Sequence, residues 1–143
     1  MIGILEDAKY VLTKDHQSTE NGFLIELFKS TDGSKTEVYL AATKPGMFKG
    51  YHLHRVRAAR YVCLKGKMKI TLWKPGTQEK EDHILEAGKP QRLFIPKDTA
   101  TGLLNIGDED AWLVNYPDPA YDPSLKDEQV EYSEEDLLNG VVK

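Results

Sequence analysis

Two histidines placed two residues apart, His52 and His54, are the side chains best suited to chemistry in this sequence. Alternate residues of a β-strand lie on the same face, so a strand here would present both imidazoles to one side. Imidazole exchanges protons near neutral pH and can also bind metal ions. Two imidazoles without a carboxylate or a third nitrogen do not complete the shell of a transition metal. The pair therefore favours proton transfer, and we expect neither a metal site nor a cofactor.

The spacing around these histidines resembles the cupin family. Gly46, His52, His54 and Gly66 keep the register of the first cupin motif, but Ala59 stands where that motif has a glutamate. The second motif is matched, without its histidine, by Pro96, Thr101 and Asn105. The resemblance implies a barrel from which two of the four usual metal ligands are missing.

Charge is distributed unevenly along a chain whose formal net charge is −4. Residues 38–78 contain nine Lys and Arg residues and no Asp or Glu, whereas the other ten basic and 23 acidic residues carry −13. A basic region around the histidines favours a small anion such as a phosphate or diphosphate, and not nucleic acid, as the partner. Alternatively, Lys65, Lys67 and Lys69 only solvate the outer face of a strand.

Short β-branched and aromatic segments separated by turn residues predict an all-β fold. Residues 67–73 alternate between apolar and polar side chains, which predicts one buried face. Lys65-Gly66-Lys67 is typical of a tight hairpin turn. Further strands are predicted over residues 23–28, 36–42, 60–64, 83–85, 92–95 and 111–116. Such spacing is typical of sandwiches and barrels. Together with it, the resemblance to the cupin motifs implies a cupin, a double-stranded β-helix or jelly-roll barrel.

The rest of the chain fits a single cupin domain over residues 1–143, with a lead-in at residues 1–20. Ser133, the acidic residues after it and Gly140 predict a short C-terminal helix within a tail at residues 130–143. The lone cysteine, Cys63, lies in an apolar alternation and is expected in the core. No apolar run is long enough to cross a bilayer and no signal peptide is recognised, so we expect a cytoplasmic protein without a membrane partner.

Several segments resemble two groups of metal-free sugar-nucleotide cupins, the dTDP-4-dehydrorhamnose 3,5-epimerases and the dTDP-4-keto-6-deoxyglucose 3,4-ketoisomerases. Residues 49–54 and 61–66 resemble both groups. The epimerase likeness continues through residues 22–26, 95–104, 118–123 and 133–136, and the ketoisomerase likeness covers residues 49–72. The resemblance implies an isomerase or epimerase that enolises a dTDP-linked 4-keto-6-deoxy sugar, in deoxysugar or polysaccharide biosynthesis.

The epimerase resemblance implies that His52 is the base and that Asp136 is the carboxylate paired with it. Lys49 or Arg60 would then stabilise the enolate oxygen. The ketoisomerase resemblance instead implies that His52 and His54 share proton transfer between C3 and C4. Substrate-binding roles are implied for Lys49, Arg60, Glu26, Tyr121, Thr101 and Asn105.

Three departures from the epimerase pattern leave a second function open. Val114 occupies the place of the family's acid tyrosine, Thr101 replaces an active-site histidine, and Asn21 replaces a nucleotide-contacting arginine. Tyr116 lies on the same strand face as Val114 and is a candidate replacement for the acid. The alternatives are a cupin that binds a carbohydrate or nucleotide sugar without catalysis and a metal-dependent cupin. We also expect a homodimer in which the strand near residues 23–28 joins the partner's sheet.

Overall fold

The computed structural model describes residues 1–14, 17–25, 27–28, 37–119, 122 and 124–143, with the backbone alone for residues 13 and 21–25. Within these residues almost all regular structure is β-strand. The strands are β1 (Ile4–Asp7), β2 (Tyr10–Lys14), β3 (Glu20–Ile25), β4 (Tyr39–Thr43), β5 (Phe48–His54), β6 (Ala59–Lys65), β7 (Lys67–Trp73), β8 (Lys80–Glu86), β9 (Gln91–Ile95), β10 (Ala100–Asn105), β11 (Ala111–Asn115) and β12 (Gln129–Glu131), and the helix is α1 (Glu134–Leu138).

Two antiparallel five-stranded sheets form the body of the fold. The first sheet has the order β1-β9-β6-β11-β4, and the second has the order β12-β5-β10-β7-β8. Strands β2 and β3 pair with each other in a separate two-stranded ribbon. Successive strands repeatedly cross from one sheet to the other, as in a jelly roll. The all-β cupin fold expected from the sequence is therefore confirmed.

A core of aliphatic side chains lies between the two sheets. The predicted alternation in β7 is confirmed, because Met68, Ile70 and Leu72 are fully buried. Leu93 and Leu113 meet them from the first sheet. Cys63 belongs to the same cluster, so its predicted place in the core is also confirmed.

The predicted C-terminal helix is present and covers the outer face of the second sheet. Leu137 of α1 packs with Tyr51, Leu53 and Trp73, which point away from the core between the sheets. Ser133 is the N-cap, and its side chain accepts a hydrogen bond from the backbone N–H at the third helical position. In the described part of the chain, no helix is long and apolar enough to cross a membrane.

The hairpin predicted at residues 65–67 is wrong. β6 belongs to the first sheet and β7 to the second, so the chain turns a corner between sheets here and does not pair with itself. Gly66 permits this corner because its φ is +75°, and a Cβ there would lie 2.8 Å from the carbonyl oxygen of Asp110. Gly66 does lie at a sharp turn of the chain, as predicted, but this turn leads from the first sheet to the second.

Candidate active site

A cavity of about 240 Å³ opens between the two sheets, beside the aliphatic core. This volume is below the roughly 300 to 1,000 Å³ of most small-molecule sites, and it suits one sugar ring better than a complete nucleotide sugar. Side chains of both sheets and of the loops that join them line it: Tyr39, Ala41, His52, His54, Arg57, Ala59, Tyr61, Ile95, Pro96, Thr101, Leu103 and Gln129.

The alternation of β5 brings both histidines into this cavity. Tyr51 and Leu53 point outward and pack against α1, so His52 and His54 between them point inward. On the neighbouring strand β12, Gln129 pairs with His54 and Glu131 pairs with His52. The C-terminal segment therefore supplies the polar side chains that surround the two rings.

His54 is held by a buried carboxylate. Its Nδ1 lies 3.0 Å from Oε2 of Glu128, whose side chain is only 8% exposed. Arg57 closes the cluster, with its Nε 3.4 Å from Oε1 of Glu128 and 3.1 Å from Nδ1 of His54. The backbone N–H of Arg57 also donates to Oε1 of Glu128, at 3.3 Å. Histidine, glutamate and arginine thus form one compact cluster in the wall of the cavity.

The two contacts of His54 Nδ1 exclude each other, and the carboxylate decides between them. A hydrogen bond donated by Arg57 requires an unprotonated Nδ1, whereas a hydrogen bond accepted by Glu128 requires a protonated Nδ1. The second arrangement is stronger because its acceptor is ionised, and Arg57 can still pair with the other oxygen of Glu128. The resulting tautomer leaves Nε2 of His54 as the nitrogen with a free lone pair.

The surroundings keep His54 neutral and Glu128 ionised. Burial lowers the pKa of His54 and outweighs the hydrogen bond to Glu128, which acts in the opposite direction, while the positive charge of Arg57 lowers it further. For Glu128, burial acts to raise the pKa, but the hydrogen bond with His54 and the contacts with Arg57 hold it below the usual value. A neutral imidazole oriented by a carboxylate is the form that a general base requires.

His52 is more loosely surrounded. Its Nδ1 lies 3.3 Å from Oε1 of Glu131, a side chain that is 73% exposed, and 3.3 Å from Nε2 of Gln129. Such exposed contacts contribute little to stability and hold the imidazole ring weakly. Both histidines face the cavity, as expected, but His54 is the one with a buried orienting partner.

The predicted pair of His52 and Asp136 is not formed. Asp136 lies on α1, which packs against the outward side of β5, whereas His52 points to the inward side. The Asp136 carboxylate instead accepts a hydrogen bond from the backbone N–H of Ser133 at 3.0 Å and contacts Nζ of Lys143 at 2.9 Å. Asp136 is a helix-capping residue here, separated from the cavity by the thickness of the sheet.

Asp136→Asn is therefore expected to leave sugar turnover unchanged and to lower stability, because it removes the charge that contacts Lys143 and weakens the capping box at the start of α1. Urea unfolding and a turnover assay on the same preparation measure both effects. A large loss of turnover with unchanged stability would restore Asp136 to the catalytic centre.

Three further predicted site residues lie outside the lining of the cavity. Arg60 sits on the outward side of β6, over the ring of Phe94 and 3.7 Å from Asp118. Tyr116 packs beside it against Phe28, with 4.9 Å between ring centroids. Val114 and Tyr116 do share a face, as predicted, but it is the outer face of the first sheet. Lys49 donates from Nζ to the carbonyl oxygen of Ala42 at 2.6 Å.

Of the remaining predicted residues, Thr101 lines the cavity and Asn105 does not. Asn105 is buried at the end of β10, where its Nδ2 donates to the carbonyl oxygens of Thr43 and Glu109 and its Oδ1 accepts from the N–H of Gly107. It therefore fixes a turn. Glu26 and Tyr121 fall outside the described residues.

Sequence reasoning missed the polar residues that complete the cavity. Val130 and Tyr132 alternate with Gln129 and Glu131, and this pattern indicates a strand, which the structure places beside β5 as β12. Nothing local distinguishes Glu128 from the many other acids of the tail. Tyr39, Arg57 and Tyr61 become recognisable only when the sheets are assembled.

No group of three or more His, Cys, Asp or Glu side chains within the described ranges is placed to hold a metal ion. Ala59 lines the cavity at the position where the cupin motif has its glutamate. A methyl group offers no ligand, and Thr101 offers only a hydroxyl. The donor set that faces the cavity therefore fits a transition metal poorly.

Comparison of the sequence with known proteins finds a matching family and a related protein. A family model described as polysaccharide biosynthesis C-terminal domain matches residues 17–129. The probable low-salt glycan biosynthesis epimerase Agl13 of Haloferax volcanii is 30% identical over an alignment of 121 residues, and the match covers 77% of this chain and 77% of that one.

Solved structures share the fold. A dTDP sugar isomerase from Desulfovibrio desulfuricans G20 superposes with a TM-score of 0.73 at 17% identity, over 92% of this chain and 83% of that one. ChmJ, a 3'-monoepimerase from Streptomyces bikiniensis solved in complex with dTDP-quinovose, gives a TM-score of 0.73 at 18% identity, over 97% and 73% of the two chains.

Proposed function

Because the chain belongs to the polysaccharide biosynthesis C-terminal domain family, we propose that it is a sugar epimerase or isomerase of glycan biosynthesis. The observation that carries this proposal is the neutral, carboxylate-oriented His54 in a cavity of sugar-ring size. The relative from Haloferax volcanii is itself described as a probable glycan biosynthesis epimerase, which supports the same class of reaction.

The first step assigned to the site is removal of a proton from a carbon next to a ketone. Nε2 of His54 takes the proton, while Glu128 holds the ring by Nδ1 and stabilises the imidazolium that forms. Since His52 faces the same cavity, it can contact the sugar hydroxyls or pass the proton to solvent. These roles differ from those implied by the epimerase resemblance, in which His52 is the base, and from those implied by the ketoisomerase resemblance, in which His52 and His54 share the proton transfer.

The second requirement is a positive charge beside the developing enolate oxygen. Arg57 is the only lysine or arginine that lines the cavity within the described chain, and its side chain is 11% exposed. A guanidinium held in place by Glu128 does not have to reorganise when the oxygen becomes negative. Arg57 therefore takes the role that the epimerase resemblance implies for Lys49 or Arg60.

We propose a dTDP-linked 4-keto-6-deoxy sugar as the substrate. A ketone next to a C–H group is what the proton-transfer cluster needs, and the cavity volume suits the sugar ring with the nucleotide outside. Two proteins of the same fold are described with dTDP sugars, an isomerase and an epimerase complexed with dTDP-quinovose, which supports this choice.

The test is incubation of the protein with a dTDP-linked 4-keto-6-deoxy sugar in deuterated water, followed by proton NMR. Uptake of deuterium at C3 or C5, together with conversion to an isomer, is the expected result. A protein that binds the sugar nucleotide but shows neither uptake nor conversion would be a binding module, and the enzymatic proposal would be abandoned.

Catalysis is expected to need no metal. Elemental analysis of the purified protein should find well under one zinc, nickel, iron or manganese per chain, and treatment with a chelator should leave deuterium uptake unchanged. About one metal ion per chain that is lost together with activity would refute metal-free enolisation.

A homodimer remains our proposal for the assembly. The ribbon of β2 and β3 belongs to neither large sheet and exposes Val11 and Leu12, and isolated two-stranded ribbons are marginally stable in water. A second copy that covers this ribbon would remove the exposed apolar surface. Sedimentation at tens of micromolar should give a dimer, and a monomer there would contradict the proposal.

A further inference from the structure

Tyr39 and Asn115 form a hydrogen-bonded pair across two strands of the first sheet. They are directly opposite each other in the register of β4 and β11. Nδ2 of Asn115 lies 2.7 Å from the phenol oxygen of Tyr39, and Asn115 is only 3% exposed. Tyr39 lines the cavity that also holds the two histidines. The pair therefore connects a buried amide to a phenol at the candidate site.

The direction of this hydrogen bond is fixed by a third group. Oδ1 of Asn115 accepts a hydrogen bond from the backbone N–H of Arg60 at 3.1 Å, so the amide cannot be turned around without losing that bond. Nδ2 must then face Tyr39, and an amide NH₂ group can only donate. The phenol oxygen of Tyr39 is thus the acceptor, and its own proton is directed elsewhere.

The phenol and the base stand on opposite walls. Tyr39 is on β4 of the first sheet, and His54 is on β5 of the second sheet. Both line the one cavity. A planar enolate between the two sheets would meet the imidazole on one face and the phenol on the other. This is the arrangement that inversion at a carbon atom requires.

We propose that Tyr39 is the general acid that protonates the enolate carbon on the face opposite His54, and that Asn115 is its positioning residue. This inference rests on the proposed function and makes it more specific, because it assigns inversion and not transfer of the ketone along the ring. The role falls to a residue on β4, and neither Val114 on β11 nor Tyr116 directly after that strand is used.

The proton balance is simple. Nε2 of His54 takes the proton from carbon, and the electron pair of the broken C–H bond forms the enolate. The O–H bond of Tyr39 then breaks, its proton forms a new C–H bond on the other face, and the ketone is restored. The phenolate accepts the hydrogen bond from Asn115 until water returns a proton, and His54 releases its own proton to water. No oxidant or reductant is consumed.

Tyr61 is the other phenol in the cavity, and it fits the role less well. Its ring is anchored by no amide comparable to Asn115 among the contacts that the structure describes. Burial raises the pKa of the Tyr61 phenol, and the neighbouring Tyr39 adds to this shift. Both effects disfavour the phenolate that an acid must leave behind.

The experiment compares Tyr39→Phe with the wild type on the same dTDP-linked 4-keto-6-deoxy sugar in deuterated water. His54 can still remove a proton and return a deuteron to the same face, so deuterium uptake should continue. Formation of the inverted sugar should fall by at least about a hundredfold, the lower range for loss of a general acid or base. The ratio of deuterium uptake to formation of the inverted sugar therefore rises. Partial unfolding would lower both rates in the same proportion and leave this ratio unchanged.

Two further variants sharpen the result. Asn115→Asp keeps the acceptor for the Arg60 N–H and removes the donor to Tyr39, so it should raise the same ratio. Tyr116→Phe removes a phenol of the outer face and should change neither rate.

Each alternative outcome is distinct. The role of Tyr39 would be overturned if Tyr39→Phe inverted the sugar at the wild-type rate, or if Tyr39→Phe lost deuterium uptake and inversion equally. It would also be overturned if the wild-type product were a ketoisomer. Each of these results would leave enolisation in place. A wild type without any deuterium uptake would overturn both the proposed function and this inference.

Discussion

Replacement of His54 by asparagine is expected to reduce deuterium uptake at the sugar carbons by at least about a hundredfold, the lower range for loss of a general base. The reason is that His54 is the neutral imidazole in the cavity with a buried, ionised carboxylate on its Nδ1. Asparagine approximates the shape of the ring and cannot take the proton. Proton NMR in deuterated water measures the loss directly.

Two histidine variants provide the comparison. His83→Asn removes an imidazole that contacts Glu81 on β8, away from the cavity, and should keep full uptake. His52→Asn should lose less than His54→Asn, because only the exposed Glu131 and Gln129 hold that ring. If His52→Asn were the more damaging change, the base would be His52 and the role of Glu128 would be structural.

The same assignment predicts the acid side of the pH profile. His54 must be neutral to act, and its pKa is lower than that of a free histidine because burial disfavours the charged ring. The plot of kcat/KM against pH should therefore stay level down through the ordinary histidine pKa of about 6.5 and fall only below it. Glu128→Gln removes an interaction that raises the pKa, so the fall should move to still lower pH.

Much of the fold was predictable because local patterns determine it. The alternation in β7 places Met68, Ile70 and Leu72 in the core, and the serine cap with its acidic first turn produces α1. The connection between β6 and β7 was less predictable, since a glycine such as Gly66 is equally compatible with a hairpin turn and with a turn from one sheet to the other. A positive φ identifies a sharp change of direction, but it does not identify the sheet that the chain enters next.

The site was predictable only where it follows the periodicity of one strand. His52 and His54 face the cavity because alternate residues of β5 must do so. The carboxylate partner could not be inferred in the same way, because it depends on which tail residues lie beside β5. Asp136 packs on the opposite side of that strand, and Glu128, just before β12, reaches His54. Long-range pairing of this kind is a property of the assembled sheets.

The largest remaining effect is expected at Arg57. If its guanidinium stabilises the enolate oxygen, then removing it should lower kcat by about a hundred- to a thousandfold, as for loss of a donor to a developing oxyanion. Arg57→Met alone would also lower stability, because the buried Glu128 carboxylate would lose its cationic partner and keep only the hydrogen bonds from His54 and the backbone. Arg57→Lys keeps the positive charge and should retain part of the activity.

The design that separates catalysis from folding is a pair of double variants. Arg57→Met with Glu128→Gln removes both charges of the buried pair, and Arg57→Lys with Glu128→Gln restores only the positive one. Single-turnover rates and urea unfolding are measured on both, with Arg60→Met on the outer face of the first sheet as the control. We expect the double variant with lysine at position 57 to react faster than the one with methionine, while the two have equal stability. Equal rates in the two double variants, or a larger loss in Arg60→Met, would show that the enolate is stabilised from elsewhere.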